Sequence, residues 1–204
     1  MTSTGRYQHR FCPNCATPLS LISQLEDGGP KERLRCPTCG WTHWNNPTPV
    51  LAAVIECVDH DGEILLARNA VWPGRMFALI TGFMEAGETP EAGIGREVVE
   101  ETSLQVHSTA LIGVYDFQRM NQLIVAYHVQ ASGEVTLSPE LAEYKRFAPA
   151  QVRCWPAGTG YALADWLRSR GHVPQFIDFA KPAKPAKPSE PDKPAAAGGG
   201  SAGR

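Results

Sequence analysis

Long apolar runs are absent from this chain. No stretch of its 204 residues approaches the roughly 18 consecutive apolar residues that a membrane-spanning helix needs. The opening MTSTGRYQHRFCPNC has no apolar h-region, so a secretory signal is not expected and a reducing, cytoplasmic setting is. An excess of one charge is also missing. The chain has 19 Lys and Arg against 21 Asp and Glu, a formal net charge of −2. That excludes a broad polyanion-binding surface and leaves room only for a local basic patch. Cysteine is sparse, at six residues, which is too few for a disulfide scaffold of this length.

What charge there is lies unevenly. The tail AKPAKPAKPSEPDKPAAAGGGSAGR, from Ala180 onward, holds five cations against two anions, a net of +3, so the rest of the chain carries −5. The tail has no large apolar residue and cannot offset its ordering entropy by burial, so it reads as disordered and inclined to polyproline II. The body ahead of it is long enough to bury a sizeable core.

Four cysteines form two pairs, Cys12-Pro-Asn-Cys15 and Cys36-Pro-Thr-Cys39, with twenty residues between them. Two tight knuckles brought together by a hairpin present four soft ligands in a tetrahedron, which is the geometry of structural zinc. The segment LSLISQLEDGGPKERLR between the pairs reads as strand, Asp-Gly-Gly-Pro turn and strand. Two disulfides are the rival reading, and a reducing setting disfavours them. Four thiolates leave no open coordination position, so the expected role of Zn²⁺ is structural. His9 and His43 flank the knuckles as substitute ligands that four cysteines make unnecessary. Cys57, in an apolar run, and Cys154 read as packing residues.

Beyond the ribbon the pattern is that of a mixed sheet with helices on its faces. Asn46-Pro47-Thr48-Pro49 is an extended connector. Val50–Val58 and Ile64–Ala67 make a hairpin around Asp59-His60-Asp61-Gly62. Met76–Ile80 is a short strand. A helix capped by Thr89, with Pro90 at its first position, runs to about Thr102. Strands follow at Leu111–Phe117, Leu123–Gln130 and Glu143–Phe147, and Thr159 caps a last amphipathic helix bearing Tyr161, Leu163, Trp166 and Leu167.

The helix after Thr89 carries the chemistry. Glu97, Glu100 and Glu101 stand at i, i+3 and i+4, on one helical face. Like charges at those spacings destabilise a helix by a few tenths of a kcal/mol per pair. A hard divalent cation reverses that penalty, and Mg²⁺ prefers carboxylate oxygens. Arg96 projects to one side and is placed to pair with Glu88. A merely solvated acidic face is the alternative.

The complete spacing runs from Gly82 through Glu88 to Arg96-Glu97-Val98-Val99-Glu100-Glu101-Thr102-Ser103-Leu104. It resembles the Nudix box, G-x5-E-x7-R-E-U-x-E-E-x-G-U, at every position except the last Gly, here Ser103. The ribbon and the W-x-N-P-x-P-V connector from Trp44 to Val50 extend the likeness to zinc-ribbon Nudix hydrolases, over about Phe11 to Gly171. The resemblance implies an α/β/α sandwich with a mixed sheet behind a small ribbon. The expected domains are a ribbon at 1–45, a Nudix hydrolase domain at 46–172, and a C-terminal segment with the tail at 173–204. The implied activity is hydrolysis of a nucleoside diphosphate linked to another moiety. By the same resemblance the Gly82 carbonyl and Glu97, Glu100 and Glu101 bind Mg²⁺ or Mn²⁺, Glu88 and Arg96 support them, and one of the carboxylates or the later Glu143 activates water. Ser103 is expected in a left-handed conformation that costs about 1 kcal/mol.

Ala78-Leu-Ile-Thr-Gly-Phe-Met-Glu85 is similar to the ALLAGFVE segment of NADH pyrophosphatases, although Val114–Met120 lacks their SQPWPFP motif. The implied substrate is NAD(H) or an ADP-ribose-like dinucleotide, giving AMP, with Phe83, Phe117 and Arg119 as substrate contacts. Nucleoside triphosphate, FAD or CoA hydrolysis, or an inactive nucleotide- or nucleic-acid-binding module, are the alternatives. The expected partner is a small-molecule nucleotide, with no membrane, no nucleic acid in the main reading, and a homodimer as an admitted assembly.

Overall fold

The computed structural model describes residues 9–177, apart from 73 and 75. The tail expected to be disordered lies outside the described residues.

The ribbon is a hairpin, β1 (Ser20–Glu26) against β2 (Gly29–Arg35), flanked by the two cysteine knuckles. The turn is tighter than Asp-Gly-Gly-Pro: Glu26 pairs Gly29, leaving Asp27-Gly28 as a two-residue loop. Within each knuckle the residue after the second cysteine donates its amide to the carbonyl of the first cysteine, Ala16 to Cys12 at 2.9 Å and Gly40 to Cys36 at 3.0 Å. Both take positive φ, +57° at Ala16 and +77° at Gly40. Gly40 does so without strain, whereas the Cβ of Ala16 makes the first knuckle the costlier one.

The larger unit is built on a six-stranded sheet. Five strands run in the order β6 (Gln105–Phe117), β7 (Gln122–Ser132), β3 (Thr48–Cys57), β4 (Glu63–Asn69) and β8 (Leu141–Phe147). The sixth, β5 (Ile80–Phe83), pairs β3 alone. β3 is central and parallel to β7; the other pairings are antiparallel. It is apolar on both faces, which explains the continuous run from Val50 to Ile55. Leu51, Ala53 and Ile55 face helix α1 (Pro90–Thr102), meeting Ile94 and Val98 at its i and i+4 positions. Ala52 and Val54 face helix α2 (Thr159–Ser169), meeting Ala162, Leu163 and Trp166. One helix on each face of a mixed sheet is the expected sandwich.

Several boundaries move. β3 starts at Thr48, inside the Pro-rich connector, because the Thr48 amide donates to the Asn121 carbonyl and Pro49 still offers its own carbonyl to Met84. The strand expected at Met76–Ile80 forms at Ile80–Phe83, where β3 is available as a partner; upstream only Ala78 bridges, to Ala67. Thr159 is the first residue of α2 and not its cap; Gly158 holds that place, with no side-chain cap bond. Tyr161 lies on the exposed side of α2, its hydroxyl donating to the Pro156 carbonyl at 3.1 Å. A short parallel pairing, β9 (Arg153–Cys154) with β10 (Gln175–Phe176), ties Gln175 and Phe176 back to the body. Cys57 and Cys154 are buried packing residues, as expected.

Candidate active site

The sheet forks at β3. Its C-terminal part, Ile55–Cys57, pairs β4, and its N-terminal part, Val50–Ala53, pairs β5. Between β4 and β5 a gap opens, closed at one point by the Ala67–Ala78 bridge. A cavity of about 50 Å³ sits in this gap, walled by Ala67 and Asn69 of β4, Thr81 of β5, Glu101 of α1, and Glu140 and Leu141 at the start of β8. Trp72, on the loop after β4, lines it as well.

Helix α1 brings the carboxylates to that gap. Thr89 caps it, its hydroxyl accepting from the Ala92 amide at 3.2 Å, and Pro90 occupies the first turn, as expected. Its last turn closes on Ser103, at φ 59° and ψ 12°, whose amide donates to the Val99 carbonyl at 2.8 Å. Ser103 thus takes the left-handed position that the box reserves for glycine.

Glu97 and Glu101 are largely buried and Glu100 is exposed. Glu97 lies against the backbone of Gly82, so closely that any Cβ there would overlap its carboxylate. Burial pushes the Glu97 carboxyl up, opposed by Arg96. Burial also pushes Glu101 up, to about 7, helped by the negative charges of Glu97, Glu140 and Glu100. The pairing of Arg96 with Glu88 is present at 2.9 and 3.1 Å, but Arg96 does more than that: Nη1 also donates to Glu97 at 2.9 Å and to Glu100 at 3.0 Å. Those bonds, with the Glu85 amide at 2.7 Å, hold the Glu88 carboxyl below its usual range.

The Glu97 carboxylate against a backbone that admits no side chain, with Glu101 one turn on, is the oxygen chemistry that suits a hard divalent cation. The soft set is elsewhere. The sulfurs of Cys12, Cys15, Cys36 and Cys39 all lie within 4.8 Å of one another, Cys15 at 3.4 Å from Cys36 and 3.7 Å from Cys39, and Cys12 at 3.5 Å from Cys39. A tetrahedral zinc with bonds near 2.3 Å sets sulfurs about 3.8 Å apart, whereas a disulfide needs about 2.05 Å. All four thiols are free, so the disulfide alternative does not hold. His9 and His43 stand outside this cluster, their rings tilted against each other with centroids 4.4 Å apart.

Glu143, Phe117 and Arg119 are not brought to the carboxylates, whereas Phe83 reaches them through its backbone, its carbonyl accepting from Arg96 Nη2 at 3.3 Å while its side chain points elsewhere. Glu143 pairs Arg68 across the β4–β8 register at 3.4 Å. Arg68 alternates with Ile64 and Leu66, which pack on the α2 side, so Glu143 is on the sheet face away from α1. Phe83 is in register with Val50, and Phe117 packs beside Val50 and Ile124; both belong to the α2 face. Arg119 sits in the exposed turn Gln118–Met120 at the end of the β6–β7 hairpin. Conversely, Glu140, Asn69, Thr81 and Trp72 line the cavity without having been anticipated. Leu141 and Tyr144 pack toward α1, which leaves Glu143 on the opposite face, and Glu140 lies just ahead of β8 where no periodicity marks it.

Among the described residues no helix is long and apolar enough to cross a membrane. A family model described as the NUDIX domain matches residues 47–167, and one described as Nudix N-terminal matches residues 10–45. The chain is 33% identical over 150 residues to the NAD-capped RNA hydrolase NudC of Mycobacterium tuberculosis, covering 69% of this chain and 45% of that protein. It is 27% identical over 161 residues to the protein of the same name from Pseudomonas putida, covering 78% and 55%. The chain therefore spans about half the length of these curated relatives. Its structure is similar to that of a NUDIX hydrolase from Nitrosomonas europaea, with TM-score 0.66, 25% identity, and coverage of 83% of this chain and 97% of that one. With one model spanning more than half of the sequence and the ribbon model directly ahead of it, this chain belongs to the Nudix family.

Proposed function

We propose that this chain is a metal-dependent pyrophosphohydrolase acting on an ADP-linked dinucleotide, NAD(H) or ADP-ribose-like, with AMP as one product. The observation that carries the reading is the fork cavity, where Glu101 of the box helix and Glu140 wall a gap beside Gly82 and Glu97. The relatives are named as hydrolases of NAD-capped RNA, which supports an NAD-linked substrate here.

Glu97, Glu100, Glu101 and the Gly82 carbonyl are the groups that would hold Mg²⁺ or Mn²⁺. Bound there, the ion supplies neutralisation of the pyrophosphate charge and a lowered pKa for water. Arg96 positions Glu97 and Glu100, and Glu88 in turn orients Arg96. Glu140, without an ion pair among the described residues, takes the role of accepting the proton from the attacking water, in place of Glu143. The ribbon, with Zn²⁺ on Cys12, Cys15, Cys36 and Cys39, is structural. Four free thiols in that arrangement suit a reducing, cytoplasmic setting.

A panel of NADH, NAD, ADP-ribose, FAD, CoA, nucleoside triphosphates and NAD-capped RNA, with Mg²⁺ or Mn²⁺ and products separated by chromatography, tests the reading. AMP release with the highest kcat/KM on an ADP-linked compound is expected. Preference for a nucleoside triphosphate by tenfold or more over every ADP-linked compound would overturn the substrate. Glu101→Gln should lower kcat at least about 10²-fold while circular dichroism and zinc content stay unchanged. Near-normal turnover would contradict its role.

A further inference from the structure

The fork cavity, at about 50 Å³, has room for a few water-sized groups, the scale of phosphoryl oxygens with an attacking water. Its ionisable walls, Glu101 and Glu140, are both acidic, and the nearby Arg96 is already engaged by Glu88, Glu97 and Glu100. A phosphoryl group drawn into this gap therefore meets anionic side chains. Charge that builds on its non-bridging oxygens is stabilised by hydrogen-bond donors fixed beside them. Three lining side chains can donate: Asn69, Thr81 and Trp72. The Thr81 hydroxyl rotates and accepts as readily as it donates, and Trp72 sits half exposed on the loop after β4. Asn69 has its direction set by a hydrogen bond.

Asn69 ends β4, next to the register irregularity in the pairing with β8. Irregularities of this kind re-aim side chains and gather beside active sites. The Val71 amide, which can only donate, lies 3.0 Å from Asn69 Oδ1, so the acceptor end of the carboxamide is fixed there. The Nδ2 end, with its two N–H groups, faces away from that amide and has no partner among the described residues. The backbone is held to match. The Asn69 carbonyl accepts from the Trp72 amide at 3.3 Å, and the Ala70 amide donates to the Glu140 carbonyl at 2.7 Å. One turn thus fixes both the free amide of Asn69 and the residue assigned to take the proton from water.

Resting on the reading of the fork as the hydrolytic site, we propose that Asn69 is a further catalytic residue, whose Nδ2 donates to a non-bridging oxygen of the phosphoryl group under attack. In the step, the water oxygen bonds to phosphorus and its proton passes to Glu140. The bridging P–O bond breaks, and its electron pair leaves with the departing phosphate. Asn69 exchanges no proton. Its hydrogen bond strengthens as negative charge grows on the oxygen, so it lowers the barrier more than it tightens substrate binding.

The test uses the full, zinc-loaded chain with Mg²⁺ and the panel compound that the wild type turns over fastest. Two variants separate donation from support of the turn. Asn69→Ala removes both, whereas Asn69→Asp keeps an acceptor for the Val71 amide and removes the donor. Each should lower kcat roughly 10²-fold. Asn69→Ala should leave KM within about twofold of the wild type, the mark of an interaction made in the transition state. Near-normal kcat in Asn69→Asp would show that the residue only supports the turn, and overturns the proposal. So does Asn69→Ala with near-normal kcat, or with a loss confined to KM. If Glu101→Gln is inactive while both Asn69 variants turn over normally, the donor falls and the hydrolytic site stands. If kcat falls as expected but the preferred compound is a nucleoside triphosphate, the substrate assignment falls and the donor stands. Wild-type protein that hydrolyses no compound of the panel overturns both.

Discussion

The ribbon and the sandwich solve the same problem by opposite means. Among the described ribbon residues only Cys12, Cys36 and Arg35 are buried, and Arg35 is held by Glu26 and by Thr42 at 2.8 Å. Leu21 and Leu25 of its hairpin are exposed. The sandwich buries Leu51, Ile55, Ile64, Leu65, Ile80, Ile94 and Leu163 completely. At about 1.5–3 kcal/mol per large buried side chain, that core sustains itself, whereas the ribbon has almost nothing to bury but its ligands. Soft thiolates are a folding element in one unit; hard carboxylates are a functional load on the other.

The sharpest way to break this contrast is to remove a thiolate. Structural zinc in small ribbons contributes about 10–16 kcal/mol of apparent binding energy, and here it replaces a core. Cys36→Ser should abolish the single zinc per chain and strip hydrogen-exchange protection from residues 10–45, leaving protection in β3, β7 and α1 intact. Retained ribbon protection in zinc-free protein would show that the hairpin folds without its metal.

The carboxylate side of the contrast is read by pH. In the unfolded chain Glu101 titrates near the ordinary 4.3, and in the fold its pKa is about 7. The folded state binds more protons between those values, so stability of metal-free protein falls as pH rises from about 4.5 to 7, by on the order of 2–3 kcal/mol, and stays lowered above that. Glu101→Gln should flatten this part of the profile of urea midpoint against pH, while the ribbon contributes no comparable slope there. A wild-type profile level between pH 5 and 7.5 would contradict the burial of an unpaired carboxylate.

The smallest effect belongs to Ser103. Its φ of 59° strains a Cβ-bearing residue, so Ser103→Gly should stabilise the sandwich by about 1 kcal/mol without altering zinc content. Calorimetric Tm checks it, and a lowered Tm would mean that the serine side chain makes up for the strain.

Local rules made much of this legible beforehand. Thr89-Pro90 starts α1, the apolar alternation of Ile94 and Val98 fixes its buried face, and Cys-x2-Cys spacing joins four sulfurs that are far apart in sequence. What escaped depended on pairings between distant segments. Whether Phe83 faces α1 or α2 follows from its register with Val50, and that register is a property of two strands. The face that Glu143 takes likewise follows from its register with Arg68, and the irregularity next to that pair shifts Leu141 and the residues before it. Trp72 was invisible because a loop residue has no periodicity to betray its direction.

The parallel pairing of β3 with β7 also orders assembly in time. Thr48 meets Gln122, 74 positions later, and this offset holds along the whole strand to Cys57 and Ala131. The ribbon, by contrast, closes every one of its hairpin contacts within residues 20–35 and its sulfur cluster by Cys39. A chain leaving the ribosome therefore completes the ribbon long before β3 has its main neighbour. During that interval β3 has β4 and β5 to pair with but keeps its β7 edge open, behind a ribbon whose four thiol ligands are already in the chain.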